Sequence, residues 1–374
     1  MTIINSVLGP LDTKNLGFTL MHEHMMCCPT GIFQNYPELL GDHLMERVVN
    51  DLKQAKQGGV DTIVDATTLV LDRNINFLAE VSRRSGVNIV ASTGWWLNVP
   101  FLFAGVSDDQ LAELFTRDIE QGISGTNIKA GILKSASDKE GVTPQEETIL
   151  RAVARAHLKT GVPIILHSYS PGQVGRQQLP ILKEEGVDLK RVKMDHSNDT
   201  TDVEYLIWLL EQGCFLGMDR YPGRDTSPLA RNKTLKALID AGYAERLCPS
   251  HDRIILHILA ANPDLTYEKN MRPNPHGFLY IKKVVFPQLR EMGVLGREQS
   301  VPARALRRQD IHAGDRAAAK PLGQESLRRS DVLRYPGHRR TQNPDRMDGR
   351  RAVSPHAVQP ATVVSRDAHV ARLS

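Results

Sequence analysis

Between Thr2 and about Met292 the chain repeats one pattern eight times, a short apolar run of strand length followed by a longer amphipathic segment. The runs are Phe18–His22, Thr62–Asp65, Asn88–Ser92, Ile128–Lys134, Pro163–His167, Arg191–His196, Cys214–Asp219 and Arg246–Asp252. Helical periodicity falls near Leu44–Gln57, Asn74–Ser85, Asp108–Gln121, Gln145–Thr160, Gln173–Glu185, Asp202–Gln212, Leu229–Ala241 and Gly277–Met292. This alternation gives parallel strands joined by crossover helices. Several helical segments stop in glycine just before an apolar run, as in Gly58-Gly59-Val60, Gly86-Val87 and Gly161-Val162, which suits a helix end turning straight back into a sheet. Eight strand-then-helix units close a (β/α)8 TIM barrel, the α/β fold expected here. The rival, an open doubly wound sheet, usually carries a glycine-rich phosphate turn after its first strand, and His22-Glu23-His24 takes that place.

Composition changes at the end of this pattern. Residues 301–374 hold 15 of the 47 lysines and arginines but only 7 of the 43 acidic residues, so the repeating body is mildly acidic. The formal charge of +4 therefore gives no reason to expect nucleic acid on the body. The tail is rich in Arg, Pro, Ala and His, has Lys320 as its only lysine, and lacks Phe and Trp. Such a stretch cannot bury enough apolar surface to offset its ordering entropy. The expected division is a barrel at 1–298 and a tail at 299–374 that is either disordered or, the preferred reading, the product of a shifted reading frame. No apolar run is long enough to span a bilayer, and the start lacks a basic-then-apolar leader, so a cytoplasmic location is expected. The four cysteines, Cys27, Cys28, Cys214 and Cys248, show no spaced framework and are read as reduced thiols.

Chemistry in such barrels lies at the C-terminal ends of the strands. His22 and His24 are two residues apart in the first run, so both point to one side. The fourth run ends in Lys134, the fifth in His167, the sixth in His196 and the eighth in Asp252. Each residue alone has an ordinary explanation: a strand-end or turn histidine, a snorkelling lysine, a helix N-cap. Together at five strand ends they form a ligand set sufficient for two divalent metals.

These motifs carry a resemblance. His22-Glu23-His24, the run Lys129 to Lys134, His167 after Val162-Pro163-Ile164-Ile165-Leu166, Asp195-His196-Ser197-Asn198-Asp199-Thr200 and Ser250-His251-Asp252 resemble the motif set of the phosphotriesterase family within the amidohydrolase superfamily. The segment Leu216 to Tyr221 is most similar to the phosphotriesterase-like lactonases. The resemblance implies one metal on His22, His24 and Asp252, a second on His167 and His196, and a bridge from Lys134 carboxylated on its amine. A neutral lysine amine is what burial and nearby cations favour. It also implies a hydroxide between the metals as nucleophile, Asp252 as proton acceptor with His251 passing the proton on, and Glu23 as support. Zinc is the expected metal, with cobalt, manganese or iron as alternatives.

For substrate contacts the candidates are Trp95 and Trp96 after the third strand, where core packing competes with pocket lining, and Arg220 and Tyr221 after the seventh. Arg220 has a structural ion pair as its competing role. The stretch Arg253 to His276 is expected to form a covering loop with Ile254, Ile255, Leu256, Ile258 and Leu259 as an apolar wall. The family-like closing helix has no counterpart after Arg297, which predicts lowered stability. The expected activity is hydrolysis of a lactone or related ester with promiscuous phosphotriester turnover. The alternatives are a phosphotriester, carboxylic ester or amide hydrolase, and a metal-binding barrel without turnover. The expected partner is a small molecule, with no membrane and a possible homodimer.

Overall fold

A computed structural model describes residues 3–97, 99–100, 103, 105–223, 225–257 and 274–294. The expected strands form one parallel sheet rolled into a (β/α)8 barrel. Its staves are β3 (Thr19–Cys27), β4 (Thr62–Asp65), β5 (Asn88–Gly94), β6 (Ile132–Ser137), β7 (Ile164–Ser168), β8 (Val192–Met194), β9 (Phe215–Met218) and β10 (Leu247–Pro249), hydrogen-bonded in chain order. Closure uses a strand not expected, β11 (Ile254–His257), which continues from β10 and pairs with β3. Between the two pieces the Ser250 amide donates to the Met218 carbonyl at 3.1 Å, and the Asp252 amide donates to the His22 carbonyl at 3.1 Å. The chain thus crosses from the last stave to the first at Asp252.

This corrects the expected covering loop. Residues 254–257 are sheet, Leu256 is fully buried in the core, and Ile258, Leu259 and the rest of 258–273 lie outside the described residues. The expected boundary at 298 and the whole tail also lie outside them.

Seven of the expected helices sit within two residues of their predicted ends, and five of these start at a side-chain cap. Ser107 and Gln110 form a capping box on the helix Asp108–Glu120, and Thr143 and Glu146 form one on the helix Pro144–Thr160. Asn74, Asp202 and Ser227 cap the helices at Ile75–Ser85, Val203–Glu211 and Pro228–Asp240. The eighth segment is instead a relay of a 3-10 turn, a π-helical turn and a short α-helix, Phe286–Glu291.

Alternation along the strands divides the core in two. Ile63, Ile89, Leu133 and Leu166 face the helices in the large outer cluster, while Val64, Val90, Ile132 and Ile165 fill the barrel interior. An N-terminal hairpin, β1 (Ile3–Ser6) with β2 (Gly9–Asp12), was not expected and buttresses the end opposite the active face. Its Asn5 side chain donates to the Ala130 carbonyl at 2.9 Å, and Ile4 joins the interior cluster.

Candidate active site

With interior positions taken by Ile132 and Ile165, alternation sends Lys134 and His167 inward one layer higher. On the first stave Met21 lies in the interior cluster and Leu20 in the outer one, so alternation alone would send Glu23 inward; the register shift between Leu20 and Glu23 turns His22 and His24 to the inner side instead. The first strand runs to Cys27, so both histidines lie within it rather than at its end, beside a register irregularity between Leu20 and Glu23. Six expected residues converge here. Lys134 Nζ lies 3.2 Å from His22 Nε2, and Asp252 Oδ1 lies 3.3 Å from both His22 Nε2 and His24 Nε2. His196 Nε2 lies 2.9 Å from His167 Nδ1, and the His22 and His196 rings are 4.9 Å apart at their centroids. The donor atoms of His22, His196 and Asp252 fall within 4.8 Å of one another.

The outward-facing nitrogens reveal the tautomers. Thr67 Oγ1 donates its one proton to the Met26 carbonyl, so it must accept from His24 Nδ1 at 2.9 Å, which leaves the lone pair on Nε2. Asp219 Oδ1 accepts from both the amide and Nδ1 of His196, at 2.8 and 3.1 Å. His22 Nδ1 faces Asp195 Oδ2 at 2.9 Å and Asp219 Oδ2 at 3.4 Å. The indole Nε1 of Trp96 donates to His167 Nδ1 at 3.4 Å, and His167 Nε2 faces Asp138 Oδ2 at 3.8 Å. His22, His24 and His196 therefore turn a bare Nε2 toward the middle, while the inward Nδ1 of His167 takes the Trp96 indole. His167 Nδ1 and His196 Nε2 lie 2.9 Å apart, so both rings present a nitrogen to the same small space. This donor set fits divalent metals.

For three of the four rings the electrostatics agree with that fit. Burial lowers the pKa values of His24 and His167, and that of His196 well below the ordinary value, so these rings stay neutral. His22 is raised: burial and Lys134 lower it, but Asp195 and Asp252 outweigh them. Burial also lowers Lys134 against the pull of Asp195 and Asp252. Asp252 is held well below the carboxylate range because His22, His196, a hydrogen bond from His24, and Arg220 outweigh its burial.

The substrate candidates divide. Trp96 is partly exposed beside His167, and Arg220 reaches Asp252. Trp95 is 5% exposed, packed edge-on to Phe103, and Tyr221 is 1% exposed, stacked near Tyr280; both belong to the outer core rather than the mouth. His251 is also turned away. Its Nδ1 lies 2.7 Å from Glu23 Oε1 and its Nε2 accepts from the Ile281 amide at 3.4 Å, so it does not extend a path from Asp252. Glu23 takes further hydrogen bonds from Ser250 Oγ and the amides of His251 and Arg253, and so fixes the crossing segment that carries Asp252.

Several contributors escaped the sequence reading: Thr67, Asp138, Asp195, Asp219 and Lys193. The available signal was polarity inside an apolar run, as with Lys193 between Val192 and Met194.

An interior of four buried imidazoles, one buried lysine and one ionised aspartate at the C-terminal mouth of a (β/α)8 barrel defines a metal-centre barrel of the amidohydrolase kind. The sequence model of the phosphotriesterase family matches residues 2–302, and the chain belongs to that family, whose members depend on a binuclear metal centre. The chain is 42% identical over 306 residues to a phosphotriesterase homology protein of Mycobacterium tuberculosis, covering 79% of this chain and 93% of that protein. It is 40% identical over 246 residues to an aryldialkylphosphatase of Saccharolobus solfataricus, covering 65% of this chain and 78% of that one. A more distant relative is the N-acetyltaurine hydrolase of Xenopus tropicalis, 25% identical over 334 residues, covering 78% and 92% of the two chains. Among the described residues no helix is long and apolar enough to cross a membrane.

Proposed function

We propose that the chain is a binuclear metal-dependent hydrolase of lactones or related esters, with phosphotriester turnover as a side activity. The observation that carries this reading is the convergence of four imidazoles on Lys134 and Asp252, three of which, His22, His24 and His196, turn Nδ1 to an oxygen behind them and Nε2 to the middle. His22, His24 and Asp252 would hold one cation, His167 and His196 the other, and a carboxylated Lys134 would link them. Zinc is the preferred ion, with cobalt, manganese and iron fitting the same donors. Bound there, the cations supply Lewis acidity and an acidified water.

The chain's own groups do the rest. Lys134 is buried with a lowered pKa, which leaves its amine free to take up carbon dioxide. Asp252 stays ionised and is the group positioned to accept a proton in the mouth. Trp96, beside His167, offers a flat apolar wall to a leaving group or acyl chain. Amide hydrolysis is the second reading, favoured by the N-acetyltaurine hydrolase relatives.

Metal analysis of the purified protein, followed by a lactone panel, an aryl dialkyl phosphate and N-acyl amino acids with chelator controls, tests the proposal. Two metals with chelator-sensitive lactone turnover are expected. Two metals with no turnover of any of these would leave a metal-binding barrel, and turnover confined to the amides would move the assignment to the second reading.

A further inference from the structure

We propose that Lys193 is a positioning residue that ties the two halves of the metal cluster together from behind. Its ammonium contacts Asp195 Oδ1 and lies 3.2 Å from Asp219 Oδ2, while the other oxygens of those carboxylates, Asp195 Oδ2 and Asp219 Oδ1, face His22 Nδ1 and His196 Nδ1 at 2.9 and 3.1 Å. One cation thereby fixes the two acceptors that orient one histidine of each proposed metal position.

The placement has a physical reason. Asp195 and Asp219 are fully buried and close enough to share both Lys193 and His22 Nδ1, so two negative charges sit side by side out of water. Lys193, itself 2% exposed, is the cation in contact with both. Without it the two like charges would be driven apart. That separation frees His22 and His196 to rotate, and their inner nitrogens no longer face the cluster. Lys193 lies on β8 one register step below the mouth, paired with Phe215 of β9 and Ile165 of β7, so it acts through the carboxylates and does not reach substrate.

This rests on the binuclear reading and deepens it by predicting that the two metal positions weaken together. The test uses the full chain as wild type, Lys193→Met and Asp195→Asn, each stripped with chelator and titrated with cobalt(II) while the visible spectrum is followed. Far-UV circular dichroism checks folding. Lys193→Met is expected to bind both cobalt ions more weakly by about 10- to 100-fold, with a perturbed spectrum at both positions. If Lys193→Met does not fold, Asp195→Asn carries the test, and it is expected to weaken the His22 position first with a shifted spectrum. The double variant Lys193→Met/Asp195→Asn removes one charge of each sign and is expected to lose less than the two single effects combined. Two cobalt ions bound with wild-type affinity and spectrum in a folded variant would overturn the positioning role. A wild-type chain that binds no cobalt would instead overturn the binuclear reading itself.

Discussion

Arg220 Nε lies 3.0 Å from Asp252 Oδ2, while its Nη1 lies 2.5 Å from Asp199 Oδ2. Arg231 closes on the other oxygen of Asp199 at 2.8 Å, so charges alternate from the helix Pro228–Asp240 to the mouth as Arg231, Asp199, Arg220, Asp252. Burial lowers the Arg220 pKa, but Asp199 and Asp252 more than restore it, and a guanidinium does not give up its proton near neutrality. Arg220 is therefore a fixed clamp that keeps Asp252 ionised and aimed, rather than a carrier of protons.

Arg220→Gln is accordingly expected to lower kcat/KM by about tenfold or more, equivalent to roughly 1.4 kcal/mol of lost transition-state stabilisation. Because its two partners, Asp199 and Asp252, are only 19% and 17% exposed, the substitution also leaves both short of a cation and is expected to lower stability as well. Parallel steady-state kinetics and urea unfolding separate the two effects. Wild-type kcat/KM in the variant would rule out the clamp.

Lys134→Ala is expected to lose metal and activity together, since the amine sits 3.2 Å from His22 Nε2 at the centre of the cluster. Short carboxylates supplied in solution should restore part of both. Elemental analysis before and after the addition reads this directly. Retention of both metals with full turnover would remove the linking role.

The metal-stripped protein should weaken on mild acidification. His24, His167 and His196 have folded-state pKa values below the ordinary 6.5, so as pH falls through that value the unfolded chain takes up protons first and the native state loses stability. His22, raised, opposes this in part. A second loss should begin below the ordinary carboxylate value of 3.8, where Asp219 and Asp252, both depressed, must be protonated on unfolding. Urea unfolding of chelated protein from neutral to acid pH checks the order. Stability that stays flat or rises from pH 7.5 to pH 5.5 would contradict the neutral-imidazole assignment.

What the sequence made legible follows from alternation. A polar residue closing an apolar run stands out, which is why His22, His24, Lys134, His167, His196 and Asp252 could be read one strand at a time. Lys193, Asp195 and Asp219 could not, because their meaning depends on which strands lie side by side and at what register. The same rule of alternation would have turned His251 away, since it is one residue from Asp252, and its pairing with Glu23 bears that out. Trp95 and Tyr221 follow their strands as closely as Trp96 and Arg220 do, and only the packing of Phe103 and Tyr280 sends them into the core. The crossing into β11 looks like a loop in the sequence because its residues, Ile254 to His257, are separated from β10 by four polar positions.

Gly94 offers the sharpest test of how the fold holds the site. It sits at φ 109°, opposite Lys134 across the β5–β6 pair, and a Cβ there would stand 2.0 Å from the Lys134 carbonyl oxygen. Backbone cannot swing aside as a side chain would, so Gly94→Ala must push the Lys134 segment outward as well as strain its own backbone. Gly86 is the matched control, with φ 75° at the end of the helix Ile75–Ser85 and nothing within 4 Å of its added Cβ. Gly86→Ala should cost only the left-handed backbone penalty, about 1–2 kcal/mol, and retain both metals. Gly94→Ala should cost more than that and lose metal, with the Trp95 amide no longer able to hold the Lys134 carbonyl at 3.0 Å. Unfolding midpoints and metal content of the pair decide the matter: equal losses would mean that the approach of Gly94 to Lys134 has no part in positioning the lysine.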